Sequence, residues 1–428
     1  MRTLVKIAVI VLLALVLFVP VTMIQSLVYE RQQRRNEAVA GIAEGWGRQQ
    51  LLAAPYLLVP YDVTRVEITR ETVDGKDREK RIERTEHRVR RIAADGIDWT
   101  LDADVSEKGR GIYKARLYTL KARAQGRFTV PANFGIGDSG QIRVGTPRLV
   151  LGVADPHGIR SVSALELGGG AYPFRAGTAD AQDPRSGLHA LLPSLAAGRS
   201  HEFSFSLELA GSEAFALQPG GDTTVAMRSD WPHPSFQGQF LPLRHEIGAG
   251  GFSASWKISR YAAQEKESLA VSFIEPAGLY QKLERASKYG FLFIGLTFAA
   301  FLLVEVLRRL AIHPVQYALV GLALAMFFVL LTALSEHVEF AAAYAAATLA
   351  CVGLITGYLI RVLGSARLGL AFGAALAAVY AVLYALLNAE DYSLLGGALL
   401  LFGLLAVVMI ATRGVDWYAL GAPQPKGP

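Results

Sequence analysis

The chain has 428 residues, 52% hydrophobic and 19% charged, with a net charge of +6 at pH 7. That apolar fraction excludes an ordinary soluble enzyme, and so modest a charge, scattered over Arg31–Arg35, Lys76–Arg91 and short loops, excludes a nucleic-acid surface, which needs a basic stripe on one folded face. The single cysteine, Cys351, lies inside an apolar run, which rules out structural disulfides and thiolate zinc sites and leaves a buried thiol with a packing role.

The first predicted element is the apolar run Leu4–Ile24, flanked by Arg2 and Lys6. Its length of about 20 residues is enough to cross a bilayer, and no small-x-small cleavage site follows, so it reads as an uncleaved anchor rather than a signal peptide. Helix formers with few breakers run from Tyr29 to Gln50 and extend the anchor as a stalk. Residues 1–28 are therefore expected to be the anchor and residues 29–54 a helical stalk.

From Pro55 the hydrophobic period changes to two. In His201–Ala210, Phe203, Phe205, Leu207 and Leu209 alternate with Ser204, Ser206 and Glu208. In Gly251–Arg260, Phe252, Ala254, Trp256 and Ile258 alternate with Ser253, Ser255, Lys257 and Ser259. Strict alternation of this kind marks half-buried antiparallel strands. Asp74-Gly75 between two charged strands reads as a hairpin turn. The charged segment Lys76–Arg91 reads as a solvated edge that resists aggregation. Recurring turn signals make residues 55–288 an antiparallel β-sandwich-like domain.

Within that domain, Gly135-Ile136-Gly137-Asp138-Ser139-Gly140 fits G-x-G-x-x-G and also contains a Gly-Asp-Ser-Gly. A dinucleotide site needs a helix after the glycines, but Gln141-Ile142-Arg143-Val144 reads as another strand. A serine protease needs a base and an orienting acid within reach of Ser139. His87 and Asp98 precede it in the right order, but His87 sits in the charged hairpin. A polar, glycine-rich turn is the plainer reading, and no catalytic residue is assigned. Further on, two prolines stiffen the loop Trp231-Pro232-His233-Pro234 around His233. Either it is a preformed partner-binding loop with Trp231, His233 and Phe236, the two aromatics as anchors, or it is a rigid crossover whose aromatics complete the core. The second reading is favoured.

The C-terminal block holds five more runs of spanning length, near 289–307, 315–334, 340–360, 368–387 and 393–411. The junctions alternate in sign: Arg308 and Arg309, then Glu336, His337 and Glu339, then Arg361 and Arg367, then Glu390 and Asp391, then Arg413. Basic residues mark the cytoplasmic side of short loops. Both termini are then cytoplasmic, with residues 29–288 outside, in the periplasm of a Gram-negative host. The five-helix block covers residues 289–412 and a cytoplasmic tail residues 413–428. Glu336, His337, Glu390 and Asp391 come to the outer rim, where they could meet headgroups, protons or a divalent ion. The plainer alternative is loop solvation and capping, with Ser335 and Asp391 as caps. No metal-ligand spacing is present, so no metal and no cofactor is assigned. His313-Pro314 opens a span at its cytoplasmic end, with His313, Gln316 and Tyr317 as interfacial anchors. Glu305 is expected to pair with Arg309 at i,i+4. Gly353 with Gly357, and Gly369 with Gly373, have the small-x-x-x-small spacing that serves internal packing or dimerisation equally well.

Several segments together resemble one family. They are Glu30-Arg31-Gln32-Gln33-Arg34-Arg35, Leu58-Val59-Pro60-Tyr61, Arg110-Gly111-Ile112-Tyr113 and Ser229-Asp230-Trp231-Pro232-His233-Pro234-Ser235-Phe236. In the apolar block they are Lys288-Tyr289-Gly290-Phe291-Leu292-Phe293, His313-Pro314-Val315-Gln316-Tyr317, Ser335-Glu336-His337 and Glu390-Asp391-Tyr392. Nearly the whole chain resembles the CreD family of bacterial inner-membrane proteins, with Ala54 a departure where glycine is expected. The resemblance implies a periplasmic domain and a link to envelope integrity and a two-component response, and it carries no catalytic residues.

The expectation is therefore an α + β membrane protein with six transmembrane helices, one N-terminal and five C-terminal, flanking a large extracytoplasmic domain. It is read as a non-enzymatic envelope protein that binds or senses an envelope component or a membrane-protein partner. A transporter or lipid-handling protein using the acidic rim is the alternative. Against it, the spans hold almost no ionisable residue near mid-bilayer and no inverted repeat is evident.

Overall fold

A computed structural model describes residues 8–9, 12–13, 15–73, 76–180, 186–263, 267–273, 278–308, 312–388 and scattered positions between 397 and 413. The chain divides into two compact units, Met1–Asn36 with Ala277–Pro428, and Glu37–Pro276. Helix α1 (Phe18–Trp46) contributes to both.

Nineteen strands follow among the described residues. The first five are β1 (Gln50–Ala53), β2 (Tyr56–Val73), β3 (Lys76–Ala93), β4 (Gly96–Arg110) and β5 (Tyr113–Thr129). Short strands come next: β6 (Gln141–Val144), β7 (Arg148–Gly152), β8 (Ile159–Val162), β9 (Leu165–Leu167), β10 (Gly170–Tyr172), β11 (Phe174–Ala176) and β12 (Gly187–Leu191). The last seven are β13 (Ser200–Ser212), β14 (Ala214–Gln218), β15 (Asp222–Ser229), β16 (Ser235–Gly238), β17 (Arg244–Gly248), β18 (Gly251–Ile258) and β19 (Leu269–Ser272).

These strands form three sheets. A four-stranded sheet runs β1-β14-β19-β16, and a nine-stranded sheet runs β10-β9-β13-β5-β4-β15-β18-β17 with β8 also on β13. A six-stranded sheet runs β11-β12-β7-β2-β3 with β6 also on β2. Pairing is mainly antiparallel, but β1–β14 and β4–β15 are parallel. Alternation specifies which face of a strand is buried and is silent on the direction of its neighbour, so the parallel pairs carry no local signature.

The core draws on all three sheets: Leu57 and Leu149 from the six-stranded one, Phe215 and Val271 from the four-stranded one, and Trp99, Phe205 and Trp256 from the nine-stranded one. Phe203, Phe205, Leu207 and Leu209 of β13, and Phe252, Ala254, Trp256 and Ile258 of β18, are buried as their period requires. The chain crosses from the nine-stranded to the four-stranded sheet at Glu213, held in the left-handed region (φ 60°). There the Glu213 N–H donates to Arg116 O and Phe273 N–H donates to Glu213 O. β3 is the end strand of its sheet, in keeping with a solvated charged edge, while Asp74 and Gly75 lie outside the described residues. The end of α1 is seated by Val39, Ile42 and Trp46 on Ala115 and Leu117 of β5. Trp46 also carries Lys108 and Arg160 over its ring, at 3.8 and 4.6 Å from the centroid.

The other unit holds α2 (Leu279–Arg308), α3 (Pro314–Ser335), α4 (Phe340–Val362) and α5 (Ala366–Asn388). Among the described residues these are four helices long and apolar enough to cross a membrane. Each packs on the next, and α2 returns to α5. Val21 and Leu17 pack against Gly290 of α2 and Gly321 of α3, where the glycines leave room for them. Of the expected first span, 4–24, residues 8–9, 12–13 and 15–24 are described, while most of the expected last span, 393–411, lies outside the described residues. Helix α2 begins at Leu279 rather than near 289, because Leu279–Lys288 is amphipathic: Tyr280, Leu283 and Ala286 are buried and Lys288 pairs with Glu284 at 2.7 Å.

Candidate functional site

The nine-stranded sheet turns a polar face outward, and the pairing registers line its side chains up. Glu166 of β9 lies opposite Ser204 of β13, Ser204 opposite Gln125 of β5, and Gln125 opposite Asp98 of β4. Asp98 lies opposite Thr224 of β15, and Thr224 opposite Lys257 of β18. The result is one row across six strands, about 24 Å long at a spacing of about 4.8 Å per strand. It runs along the floor of an open trough of about 1570 Å³. A second row brings Glu202, Arg127 and Asp222 alongside it. Ser204 Oγ donates to Glu166 (3.1 Å), and Thr224 Oγ1 donates to Asp98. Asp222 receives Arg260 through Nε (3.0 Å), Nη2 (2.8 Å) and the backbone N–H (2.9 Å), which holds its carboxyl below the usual range against a small opposing effect of burial. The row thus offers acceptors, amide groups, hydroxyls and one ammonium on a fixed sheet. Nothing local in the sequence marks it, because its members are up to 159 residues apart and meet only through register.

The Trp231 loop joins β15 to β16. Trp231 Nε1 donates to His233 O (2.8 Å), and Arg116 lies 4.4 Å from the Trp231 ring centroid. Asp230 accepts from Val105 N–H (2.8 Å). Phe236 meets Phe252 and Trp256 edge-on at 5.7 and 5.8 Å, and both Trp231 and Phe236 pack against the main core. His233 is exposed.

At the rim, Glu336 follows the last turn of α3 and lies 3.5 Å from Arg31 Nε, with only 10% of its side chain exposed. His337 is exposed, and its N–H donates to Leu334 O. Ser335 Oγ turns back to Leu331 O (2.6 Å). Glu390 and Asp391 lie outside the described residues. Lys282 donates to Asn388 (3.0 Å) and sits 5.4 Å from the Phe340 centroid. The Arg31–Glu336 contact ties the middle of α1 to the end of α3, and the Lys282 contacts tie the start of α2 to the end of α5 and the start of α4.

Two expectations change. Tyr317 is buried rather than interfacial: it donates to Glu305 (2.7 Å) and packs on Phe298 and Phe301. His313 instead caps α3, accepting from Val315 N–H while its own N–H donates to Gln316. Arg309 lies outside the described residues, and Glu305 also accepts from Ile312 N–H at 3.4 Å.

Ser139, His87 and Asp98 do not assemble. His87 Nδ1 lies 2.6 Å from Asp62, and Asp98 is bound in the trough. Asp138, the neighbour of Ser139, accepts from Tyr61 (2.8 Å) and Arg88 (2.6 Å). The Tyr61 hydrogen bond, aided by Arg88 and Arg65 against the opposing effect of burial, holds the Asp138 carboxyl low, while burial and the same bond push the Tyr61 hydroxyl up. β6 follows as the strand that the sequence predicts. Among the described residues no three His, Cys, Asp or Glu side chains gather as a metal site would require.

The family model described as "Inner membrane protein CreD" matches residues 2–418. The inner membrane protein CreD of Escherichia coli (strain K12) is 32% identical over 435 residues, covering 96% of this chain and 93% of that protein. Among solved structures, an M1 zinc metallopeptidase from Deinococcus radiodurans aligns over 46% of this chain and 54% of its own, at 12% identity and a TM-score of 0.20. That likeness carries no argument about this chain.

Proposed function

Because the chain belongs to the CreD family of inner membrane proteins, we propose that it is a six-span, non-enzymatic protein of the envelope integrity response that binds a glycan component of the envelope on its β-rich unit. In this reading both termini are cytoplasmic and the β-rich unit, with its sheets stacked as a sandwich-like body, is periplasmic. The observation that carries it is the row Glu166–Ser204–Gln125–Asp98–Thr224–Lys257 on the floor of the trough. A sugar chain presents closely spaced hydroxyls and amides that must each find a donor or an acceptor when dehydrated. A rigid sheet supplying both kinds of group lowers the ordering cost of binding. The open, solvated floor supports modest affinity and reversible occupancy, which suits a sensor.

The test uses the full chain in lipid nanodiscs and soluble oligosaccharide fragments of cell-wall glycan. We expect saturable binding by calorimetry that weakens at least tenfold in Asp98→Ala/Gln125→Ala, with the fold intact by circular dichroism. Equal binding by the wild type and the double variant, or none by either, would refute the trough. A lipid-handling reading rests on the rim, where Arg31 in the middle of α1 and Glu336 at the end of α3 make a dipolar site. It requires a lipid that co-purifies with the wild type and is lost in Glu336→Ala/His337→Ala.

A further inference from the structure

β17 ends the nine-stranded sheet and, among the described strands, pairs with β18 alone. All five of its residues are exposed. Its two faces differ. His245 lies opposite Ala254, Ile247 opposite Phe252, and Leu243 N–H donates to Ser255 O just before the strand. His245 and Ile247 therefore continue the face on which Phe252, Ala254 and Trp256 are buried, and the His245 ring lies 5.4 Å from Phe236, while Leu243, which shares Ser255 with Arg244, lies in a bulge ahead of the strand. Yet Leu243 is 72% and Ile247 51% exposed, with Leu241 beside them at 69%. Arg244 and Glu246 stand on the opposite face, next to Ser255 and Ser253. An open edge is ordinarily limited by charged side chains, proline, a bulge or a short strand. β3, at the end of the six-stranded sheet, carries a dense run of charges of both signs. β17 is short and has Pro242 and the bulge ahead of it, which confine any pairing to its five residues, where Arg244 and Glu246 stand on one face and Ile247 is uncovered on the other.

We propose that β17 is a homodimer interface, in which it pairs antiparallel with β17 of a second copy about a two-fold axis through His245. In that register Arg244 falls opposite Glu246 of the second copy and Glu246 opposite its Arg244. Opposite charges directly across an antiparallel ladder are stabilising, and like charges are not. Neighbouring two-fold registers lack this complementarity: an axis at Arg244 sets Arg against Arg, and an axis at Glu246 sets Glu against Glu. The backbone groups along the open edge of β17 gain partners, and the core-side face of one sheet continues into the next. An isologous contact of this kind closes on itself and stops at two copies.

The prediction is tested in the full chain, in membranes, with Cys351→Ala as background so that a single introduced thiol reports. Directly opposed Cα atoms in an antiparallel pair lie about 4.5–5.5 Å apart, within disulfide reach. His245→Cys is expected to give a disulfide-linked dimer on mild oxidation. Gly248→Cys, whose two copies would lie about 20 Å apart, is expected to give none. In nanodiscs, Arg244→Glu should shift the dimer to monomer by mass photometry, and Arg244→Glu/Glu246→Arg should restore the dimer. The restored double variant also shows that the single variant fails by charge and not by misfolding. A monomeric wild type, equal cross-linking at 245 and 248, or a double variant as weak as Arg244→Glu would each overturn the proposal.

Discussion

At Asp138 a motif that looks catalytic is given over to structure. The Gly-Asp-Ser-Gly turn is held on the β2–β3 hairpin by Tyr61 and Arg88, and Gly140 closes it with φ +136°, where an added Cβ would meet Thr64 O at 2.8 Å. Ser139→Ala should therefore change stability by no more than about 0.5 kcal/mol in chemical denaturation of the full chain. Asp138→Ala should lower the Tm clearly, and Gly140→Ala should cost about 1–3 kcal/mol through backbone strain. If Ser139→Ala proves the most damaging of the three, the turn has a role other than the structural one. Asp180 is a second such residue: its carboxylate has no exposed side-chain surface and accepts from Tyr56 (3.0 Å) and Arg91 (2.9 Å). Asp180→Ala removes the acceptor that Tyr56 and Arg91 share and should cost about 1–3 kcal/mol by the same measurement.

At the scale of elements, the two glycine pairs separate. A Cβ on Gly369 would come within 2.9 Å of the Ile360 backbone, and one on Gly373 would strike the Thr356 side chain, so this pair sets the close approach of α4 and α5. Gly353 and Gly357 have nothing within 4 Å. Gly373→Leu should cost about 1–3 kcal/mol or more by overpacking, while Gly353→Leu should leave thermal unfolding in detergent nearly unchanged. The reverse order would mean that α4 turns the other way. Spacing alone leaves this undecided, because both pairs have the same i,i+4 interval and only the rotation of the helix distinguishes them. The same limit applies to Tyr317, which reads as an anchor beside His313 and Gln316 but is turned inward onto Glu305. By contrast, β13 and β18 are legible residue by residue, since strict alternation has a single solution once one face is buried.

At the scale of the whole molecule, four carboxyls of the β-rich unit are held below the ordinary range. They are Asp138 by Tyr61, Arg88 and Arg65, Glu86 by Arg88, Asp222 by Arg260, and Asp155, where burial is opposed and outweighed by the Arg48 N–H and by His157. Lowered folded-state values stabilise the fold at pH above the unfolded value, about 4, and that stabilisation is lost as pH falls through the folded values. Thermal unfolding of the full chain should then show a Tm steady from about pH 7 to 5 and falling below about pH 4. Asp155→Asn with Asp222→Asn should flatten that fall, and an unchanged slope would assign acid sensitivity to other groups. The sequence by itself determined the apolar segments long enough to cross a membrane, because a helix must satisfy every backbone polar group internally in lipid and so needs an uninterrupted run. It determined the alternating strands and the faces they bury for the same local reason, and its segments carried the family resemblance. The parallel run of β4 and β15, the passage of the chain from one sheet to another at Glu213, and the row shared by Glu166 and Lys257 emerge from the folded chain. Those outcomes depend on strand register and helix rotation between residues far apart in the chain, and a one-dimensional period does not encode either.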